Sequence, residues 1–176
     1  MSFQASAKGL TKSRLDSLNS ILESNCDDSL KIQAALHKAY ILIYSNEQEA
    51  LKSAKWALKY SQKSNFKTGV IDAYLFLARI QYRSSDVNQM LLYVDSLDQW
   101  APNGLSQAQQ TERLNVLGMA SYKLNRFSEA LEYWEEAWRI KPYEKSGELL
   151  SNLGNIYLSG ESFLKAKDFF LSAANF

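Results

Sequence analysis

Few side chains in this sequence have the type and spacing that catalysis or metal binding requires. Cys26 and His37 are the only cysteine and the only histidine, which excludes an intramolecular disulfide and any zinc site built from several such ligands. The two residues fall on different predicted segments, so we do not expect a thiolate–imidazole pair. Adjacent carboxylates such as Glu135 and Glu136 have basic neighbours and predict a solvated helix face. We therefore predict no catalytic residue, no metal and no cofactor, and a protein that is not an enzyme.

Two arginines are better candidates for recognition. Arg79 and Arg83 are one helical turn apart, so both guanidinium groups could bind one carboxylate. The alternative is that they are solvated charges paired with Asp72 or Asp86. Either interpretation requires this stretch to be helical.

Composition favours long helices around a sizeable core. The 176 residues are 46% hydrophobic and 12% aromatic, with only 2 prolines and 7 glycines, whereas an all-β fold needs many turns. Lys and Arg number 20 against 19 Asp and Glu, a balance that predicts neither nucleic acid nor an anionic membrane as partner. No apolar run approaches the roughly 18 residues of a membrane-spanning helix.

An internal repeat supplies the elements that would position these side chains. Leu114-x2-Leu117-Gly118 is followed by Ala130-x3-Trp134-x2-Ala137, and the pattern recurs from Leu150. Earlier copies place Ala78, and then Tyr40, at the position of Gly118. The anchor residues Ala50, Met90, Ala130 and Ala166 recur at spacings of 40, 40 and 36 residues. Apolar residues at i, i+3, i+4 and i+7 predict one buried stripe on each helix.

These motifs resemble the tetratricopeptide repeat family, whose units are helix–turn–helix hairpins of about 34 residues. The resemblance implies an all-α fold, a right-handed superhelix or α-solenoid of stacked antiparallel helix pairs. We expect about four such hairpins plus an N-terminal helix. The implied boundaries are a disordered segment or a cloning or signal-peptide remnant at 1–9 and one repeat domain at 10–176. Within that domain we expect a leader helix at 10–24 and pairs at about 28–62, 66–100, 106–140 and 146–176.

Serines predict several helix starts. Ser45, Ser106 and Ser146 are candidate N-caps, and Gln48 and Gln109 would complete capping boxes with the first two. Asp27 and Asp28 are candidates to cap the first helix of the first pair.

In this family the first helix of each pair lines the concave groove, so the resemblance implies that a protein or peptide binds there. The predicted groove residues are Asp72, Leu75, Arg79, Tyr82, Arg83, Glu112, Asn115, Met119, Tyr122, Lys123, Glu148, Ser151 and Asn155. A carboxylate clamp of the kind found in chaperone-binding members is not expected, because Leu75 and Val116 cannot donate hydrogen bonds and Glu148 would repel a carboxylate.

Short motifs such as Ala50-Leu51-Lys52-Ser53-Ala54 resemble the N-terminal repeat region of multidomain bacterial signalling proteins, common in Bacteroidetes. The resemblance implies a regulatory or sensory module. The sequence ends on an aromatic-rich helix with no polar cap, which predicts either a longer protein or a homodimer formed through the C-terminal helices. Structural self-association is therefore the alternative function. If Ala5-Ser6-Ala7 is a signal-peptide remnant, the compartment is the periplasm; otherwise it is the cytoplasm.

Overall fold

The computed structural model describes residues 2–101, 103–140, 147–159 and 163–174. These residues form nine helices and no strand, and the all-α class predicted from the repeats is confirmed. The helices are α1 (Ser2–Glu23), α2 (Asp28–Leu42), α3 (Glu47–Lys63), α4 (Lys67–Ser84), α5 (Val87–Asp98), α6 (Gln107–Lys123), α7 (Phe127–Ile140), α8 (Gly147–Ser159) and α9 (Phe163–Ala174).

The helices α2–α3, α4–α5, α6–α7 and α8–α9 fall in the four ranges where the sequence predicts pairs, and the domain boundaries themselves stay a prediction. The leader helix differs at its start, because α1 begins at Ser2 rather than at residue 10. The helix therefore includes most of segment 1–9, for which the sequence predicts disorder or a remnant. In the described part of the chain, no helix has the length and apolar character needed to cross a membrane.

Short polar side chains begin the helices. Asp27 caps α2 by accepting a hydrogen bond from the backbone N–H of Ser29. Ser106 and Gln109 form the predicted capping box at α6. The predicted cap of α3 is wrong by one residue: Asn46, not Ser45, accepts from the N–H of Glu49. Residue 146 lies outside the described residues.

Backbone contacts divide the chain into two compact units, and the single repeat domain expected at 10–176 stays a prediction. The first unit comprises Met1–Ser84 and Tyr93–Pro102, and the second comprises Ser85–Leu92 and Asn103–Phe176. In the first unit α2 contacts α1, α3 and α4, and α3 also contacts α4. Because α2 and α4 contact each other as well as α3, they lie side by side and α3 packs behind them.

Small residues allow the close helix packing in the second unit. A Cβ atom added to Gly118 on α6 would lie 2.7 Å from Cδ1 of Trp134 on α7. A Cβ atom added to Gly154 would lie 2.6 Å from Cε1 of Phe170 in the same way. The two hairpins therefore repeat one contact, in which a glycine receives an aromatic ring from the partner helix.

The first hairpin shows a register error in the sequence interpretation. The alignment places Tyr40 at the position of Gly118, but Tyr40 is 56% exposed and Ala39 is fully buried. Ala39 also packs in one core cluster with Ala54 and Leu77. Ala39 is therefore the small contact residue, and the sequence alignment of the first repeat is one residue too late. The sequence separation between the contact residues of the two helices is shorter in this hairpin than in the other repeats, so the spacing did not reveal the error.

Candidate functional site

The first unit exposes two tyrosine–arginine pairs on neighbouring helices. Tyr40 lies near the end of α2 and Tyr44 lies in the turn that follows this helix, whereas Arg79 and Arg83 are one turn apart on α4. The guanidinium carbon of Arg79 lies 5.6 Å from the centre of the Tyr40 ring, and that of Arg83 lies 5.1 Å from the centre of the Tyr44 ring. These distances are typical of cation–π contacts. We call the surface that carries both pairs the α2–α4 face.

The outer pair also has an ionic contact. Nε of Arg83 donates a hydrogen bond of 3.1 Å to Oε2 of Glu47, the first residue of α3. Arg83 is therefore held by a ring in the turn after α2 and by a carboxylate at the start of α3. Glu47, rather than Asp72 or Asp86, is the observed carboxylate partner of Arg83.

A cleft of about 360 Å³ lies between α2 and α4 next to the inner pair. Its apolar wall includes the rings of Tyr40 and Phe76, whose centroids are 6.4 Å apart at an angle of 49°. The complete lining is Gln33, Leu36, His37, Tyr40, Asp72 and Phe76. Aromatic and aliphatic walls with a few polar groups are typical of ligand sites.

A second cleft, of about 440 Å³, lies between α1 and α2. His37 and Tyr40 border both clefts, so these two side chains form a ridge between them. The other residues that line it are Ser13, Arg14, Ser17, Leu18 and Ile41. Both clefts belong to the first unit, and their lining residues come from α1, α2 and α4.

Charge is distributed unevenly along α4. Asp72 lines the cleft near the start of the helix, whereas Arg79 and Arg83 follow on the same face toward its end. At about 1.5 Å per residue, Asp72 and Arg79 are separated by roughly 10 Å along the axis. Phe76 lies between them. The α2–α4 face is therefore acidic at one end, apolar in the middle and basic at the other end.

The five groove residues predicted on α4 have different environments. Asp72 lines the cleft, and Arg79 and Arg83 lie over the rings of Tyr40 and Tyr44. Tyr82 is half-buried. Leu75 is a correction, because only 3% of it is exposed and it belongs to the core.

The predicted groove residues on α6 are mostly turned toward neighbouring side chains. Asn115 and Met119 are buried, at 3% and 4% exposure, and are corrections of the same kind as Leu75. The ring of Tyr122 packs against Phe127 and Trp134 of α7, with centroids 5.4 and 5.9 Å away. Glu112 is half-buried, and Lys123 donates to Oγ of Ser85 at 3.1 Å.

On α8 the predicted residues contribute little to a surface. Oγ of Ser151 donates a hydrogen bond to the carbonyl of Gly147 one turn earlier, and Asn155 is exposed. The side chain of Glu148 lies outside the described residues. The neighbouring Asn152 donates to Oδ1 of the buried Asn115 at 3.2 Å, which joins α8 to α6 inside the second unit.

The sequence interpretation missed the contribution of α2. His37, Tyr40 and Tyr44 were not among the predicted groove residues, because the one-residue shift assigned Tyr40 to a buried position. With Ala39 as the contact residue, Tyr40 becomes equivalent to Arg79 and Tyr44 to Arg83. The signal was present in the sequence as two aromatic residues one turn apart beside a run of buried alanines.

Hydrogen bonds shift the pKa values of Tyr157 and Asp27. A hydrogen bond from the phenol of Tyr157 to Oε1 of Glu135, 2.6 Å long, together with partial burial, raises the pKa of Tyr157 to about 12. Hydrogen bonds from Ser29 lower the pKa of Asp27 at the start of α2. No group of three His, Cys, Asp or Glu side chains among those described could hold a metal ion.

Comparison with known proteins gives structural relatives only. No protein-family model and no curated protein matches the sequence. A crystal structure of a Rap protein complexed with competence and sporulation factor matches with a TM-score of 0.77 at 16% identity, over 98% of this chain and 52% of that one. This chain therefore spans about half the length of the Rap chain.

Two further structures are similar over nearly the whole chain. BtubC from P. vanneervenii has a TM-score of 0.61 at 19% identity, covering 97% of this chain and 72% of that one. MamA has a TM-score of 0.53 at 14% identity, covering 99% and 94%. These neighbours are helical-repeat proteins, and the likeness supports a fold of the tetratricopeptide type.

Proposed function

We propose that this chain is a protein- or peptide-binding module and that the α2–α4 face is its contact surface. The observation that carries the proposal is the pair of stacked tyrosines and arginines, Tyr40 with Arg79 and Tyr44 with Arg83. Tyr40 is 56% exposed and Tyr44 is 71% exposed. Tyrosine and arginine are the residue types that most often dominate binding energy at protein interfaces.

The stacking also favours binding for an entropic reason. A free arginine side chain loses roughly 0.5–1.5 kcal/mol of conformational freedom when a partner immobilises it. Here each guanidinium already rests on a ring, so part of that cost is met before the partner arrives. The adjoining cleft of about 360 Å³ can receive an apolar side chain of the partner.

We further propose that the module is the regulatory or sensory part of a larger bacterial signalling protein. Two observations support this role. The short motifs around Ala50 resemble the repeat regions of such proteins. In addition, the similar Rap structure was determined in complex with competence and sporulation factor, and by analogy a chain of this fold can bind a partner.

Self-association is a second candidate function. Leu158 on α8 and Leu171 on α9 are 46% and 55% exposed, and large exposed apolar side chains favour contact with a second copy. Light scattering over a wide concentration range tests this candidate. A Leu171→Glu variant should remain monomeric where the wild type dimerises, and a wild type that stays monomeric at high concentration excludes a homodimer.

Selection from a displayed random-peptide library tests the binding function. Peptides selected on the wild type are then measured by fluorescence anisotropy against the double variant Tyr40→Ala with Tyr44→Ala. We expect an affinity loss of at least about tenfold, since two interface tyrosines commonly contribute more than about 1 kcal/mol each. Lys59→Ala on α3 changes an exposed side chain behind the face and serves as control.

The result that would refute the proposal is equal affinity for the wild type and the tyrosine variant. Because both tyrosines are mostly exposed, the variant should fold, and a thermal melt checks this. A library that yields no binder at all would also count against a peptide-binding function.

A further inference from the structure

We propose that the α2–α4 face selects a bipolar peptide segment: a basic group and a carboxylate flanking one large apolar side chain in an extended chain. The carboxylate binds at Arg79 and Arg83. The apolar side chain enters the cleft between α2 and α4 that Tyr40 and Phe76 line, and the basic group lies at Asp72. This inference rests on the proposed peptide-binding function and specifies the chemistry of its partner.

The order of charge follows from helical geometry. Positions 72, 76, 79 and 83 lie on one face of α4, and positions 33, 37 and 40 lie on one face of α2. The structure brings these two faces together, because Tyr40 contacts both Phe76 and Arg79, and the cleft has walls from both helices. One acidic, one apolar and one basic region therefore follow one another in a single direction.

The spacing sets the length of the segment. Asp72 and Arg79 are about 10 Å apart along the helix axis at 1.5 Å per residue. An extended peptide advances about 3.3 Å per residue. Its basic and acidic residues should therefore be about three or four positions apart, with the apolar residue between them. Either chain direction satisfies this requirement, because the face distinguishes the charges and not the polarity of the backbone.

The basic end is suited to a carboxylate. A guanidinium group carries five N–H donors in one plane, which match the two oxygens of a carboxylate. In Arg83 the Nε–H donates to Oε2 of Glu47 at 3.1 Å, and the guanidinium carbon lies 5.1 Å from the centre of the Tyr44 ring. The other N–H donors of Arg83 belong to the same planar group, one helical turn from Arg79.

The opposite end is suited to a cation. Asp72 and Gln33 line the cleft together from α4 and α2, and both offer oxygen acceptors to an ammonium or guanidinium group. The middle of the cleft has walls from Leu36, Tyr40 and Phe76, which favour an aliphatic or aromatic side chain. A doubly acidic or doubly basic peptide would place one charge against a like charge at one end.

Four synthetic peptides with blocked termini test the inference. The bipolar probe is acetyl-Ser-Lys-Ser-Phe-Ser-Glu-Ser-amide with a fluorophore attached. The other three replace Glu with Lys, Lys with Glu, or Phe with Ala. We expect the bipolar probe to bind on the order of tenfold more tightly than each of the others, the factor that corresponds to about 1.4 kcal/mol.

Reversing one charge of the α2–α4 face provides a second test, in which a variant is expected to gain affinity for a different peptide. Arg79→Glu converts the basic end toward an acidic one, so this variant should prefer the doubly basic peptide over the bipolar one. Lys59→Glu makes the same change of charge on α3 and should keep the wild-type order of preference. A reversed preference cannot result from unfolding, which would only weaken binding.

Three outcomes would overturn the inference. Equal binding of the bipolar and doubly acidic probes would show that Asp72 does not select a cation. An unchanged preference in Arg79→Glu would place the peptide elsewhere. Failure of all four probes, while library-selected peptides still lose affinity on removal of Tyr40 and Tyr44, would refute the charge order and leave the proposed function standing.

Discussion

Replacing Gly118 with alanine tests the close contact between α6 and α7. In an exposed helix this change stabilises, because alanine has a helix propensity about 1 kcal/mol better than glycine. Here the added Cβ would lie 2.7 Å from both Cδ1 and Cε2 of Trp134, whereas carbon atoms in contact prefer about 3.5–4.0 Å. The indole ring must therefore move.

The loss of stability in Gly118→Ala depends on the contacts that hold the Trp134 ring in place. Trp134 is 2% exposed, and its Nε1 donates a hydrogen bond of 3.2 Å to the carbonyl of Asn115. Overpacking a core costs about 1–3 kcal/mol, and weakening that buried hydrogen bond adds about 1 kcal/mol. After the gain in helix propensity, Gly118→Ala should destabilise by about 1–3 kcal/mol, or roughly 2–4 °C in melting temperature per kcal/mol.

The second hairpin suggests the matched control. Its equivalent positions hold Ala78 and Val94, and both are buried. Trp134→Val should itself destabilise, because it removes a large buried ring. In that background, however, Gly118→Ala recreates the alanine–valine combination and should stabilise. Urea denaturation of the four proteins, followed by circular dichroism, measures both effects. If Gly118→Ala has the same sign in both backgrounds, the contact with Trp134 does not explain the glycine.

Two further predictions concern single hydrogen bonds. Ser106→Ala removes the cap of α6, in which the backbone nitrogen of Gln109 lies 3.3 Å from the serine hydroxyl oxygen. This variant should lower the free energy of unfolding, measured in urea, by about 1 kcal/mol. Ser45→Ala should change it by less than about 0.5 kcal/mol, and similar losses in both variants would contradict the assignment of the caps. The pKa of Tyr157 is raised to about 12 by its bond to Glu135, so that contribution is complete below pH 10 and disappears as pH rises from 10 to 12. Tyr157→Phe should therefore melt lower at pH 8 and lose less stability than the wild type over that window; parallel pH profiles of the two proteins would contradict this.

The repeats could be located from sequence because they depend on local spacing. Gly118 and Gly154 mark positions where only a small residue fits, and their partners Trp134 and Phe170 follow at the same offset. Such regular contacts appear in the sequence as a period, so the bounds of the helix pairs follow from it. The weak first copy lacked a glycine, and its alignment failed by one residue.

The groove residues were harder to assign because burial depends on neighbouring helices. Leu75, Asn115 and Met119 lie at positions that a single helix would expose, yet all three are buried. Tyr122 packs on the second helix of its own hairpin rather than presenting its ring to a partner. A helical register gives the direction in which a side chain points. Only the packed structure shows whether a neighbouring helix or solvent lies there.

The sequence by itself determined the class of the protein: helical hairpins with a small residue facing a large one, little charge imbalance, and arginines one turn apart on α4. These properties are local or compositional. Only the tertiary structure brought Tyr40 of α2, and Tyr44 in the turn after it, against Arg79 and Arg83 of α4, because these contacts depend on the register between two helices separated by a third. The α2–α4 face is a product of packing, and its order of charges follows from the residues that packing brings together.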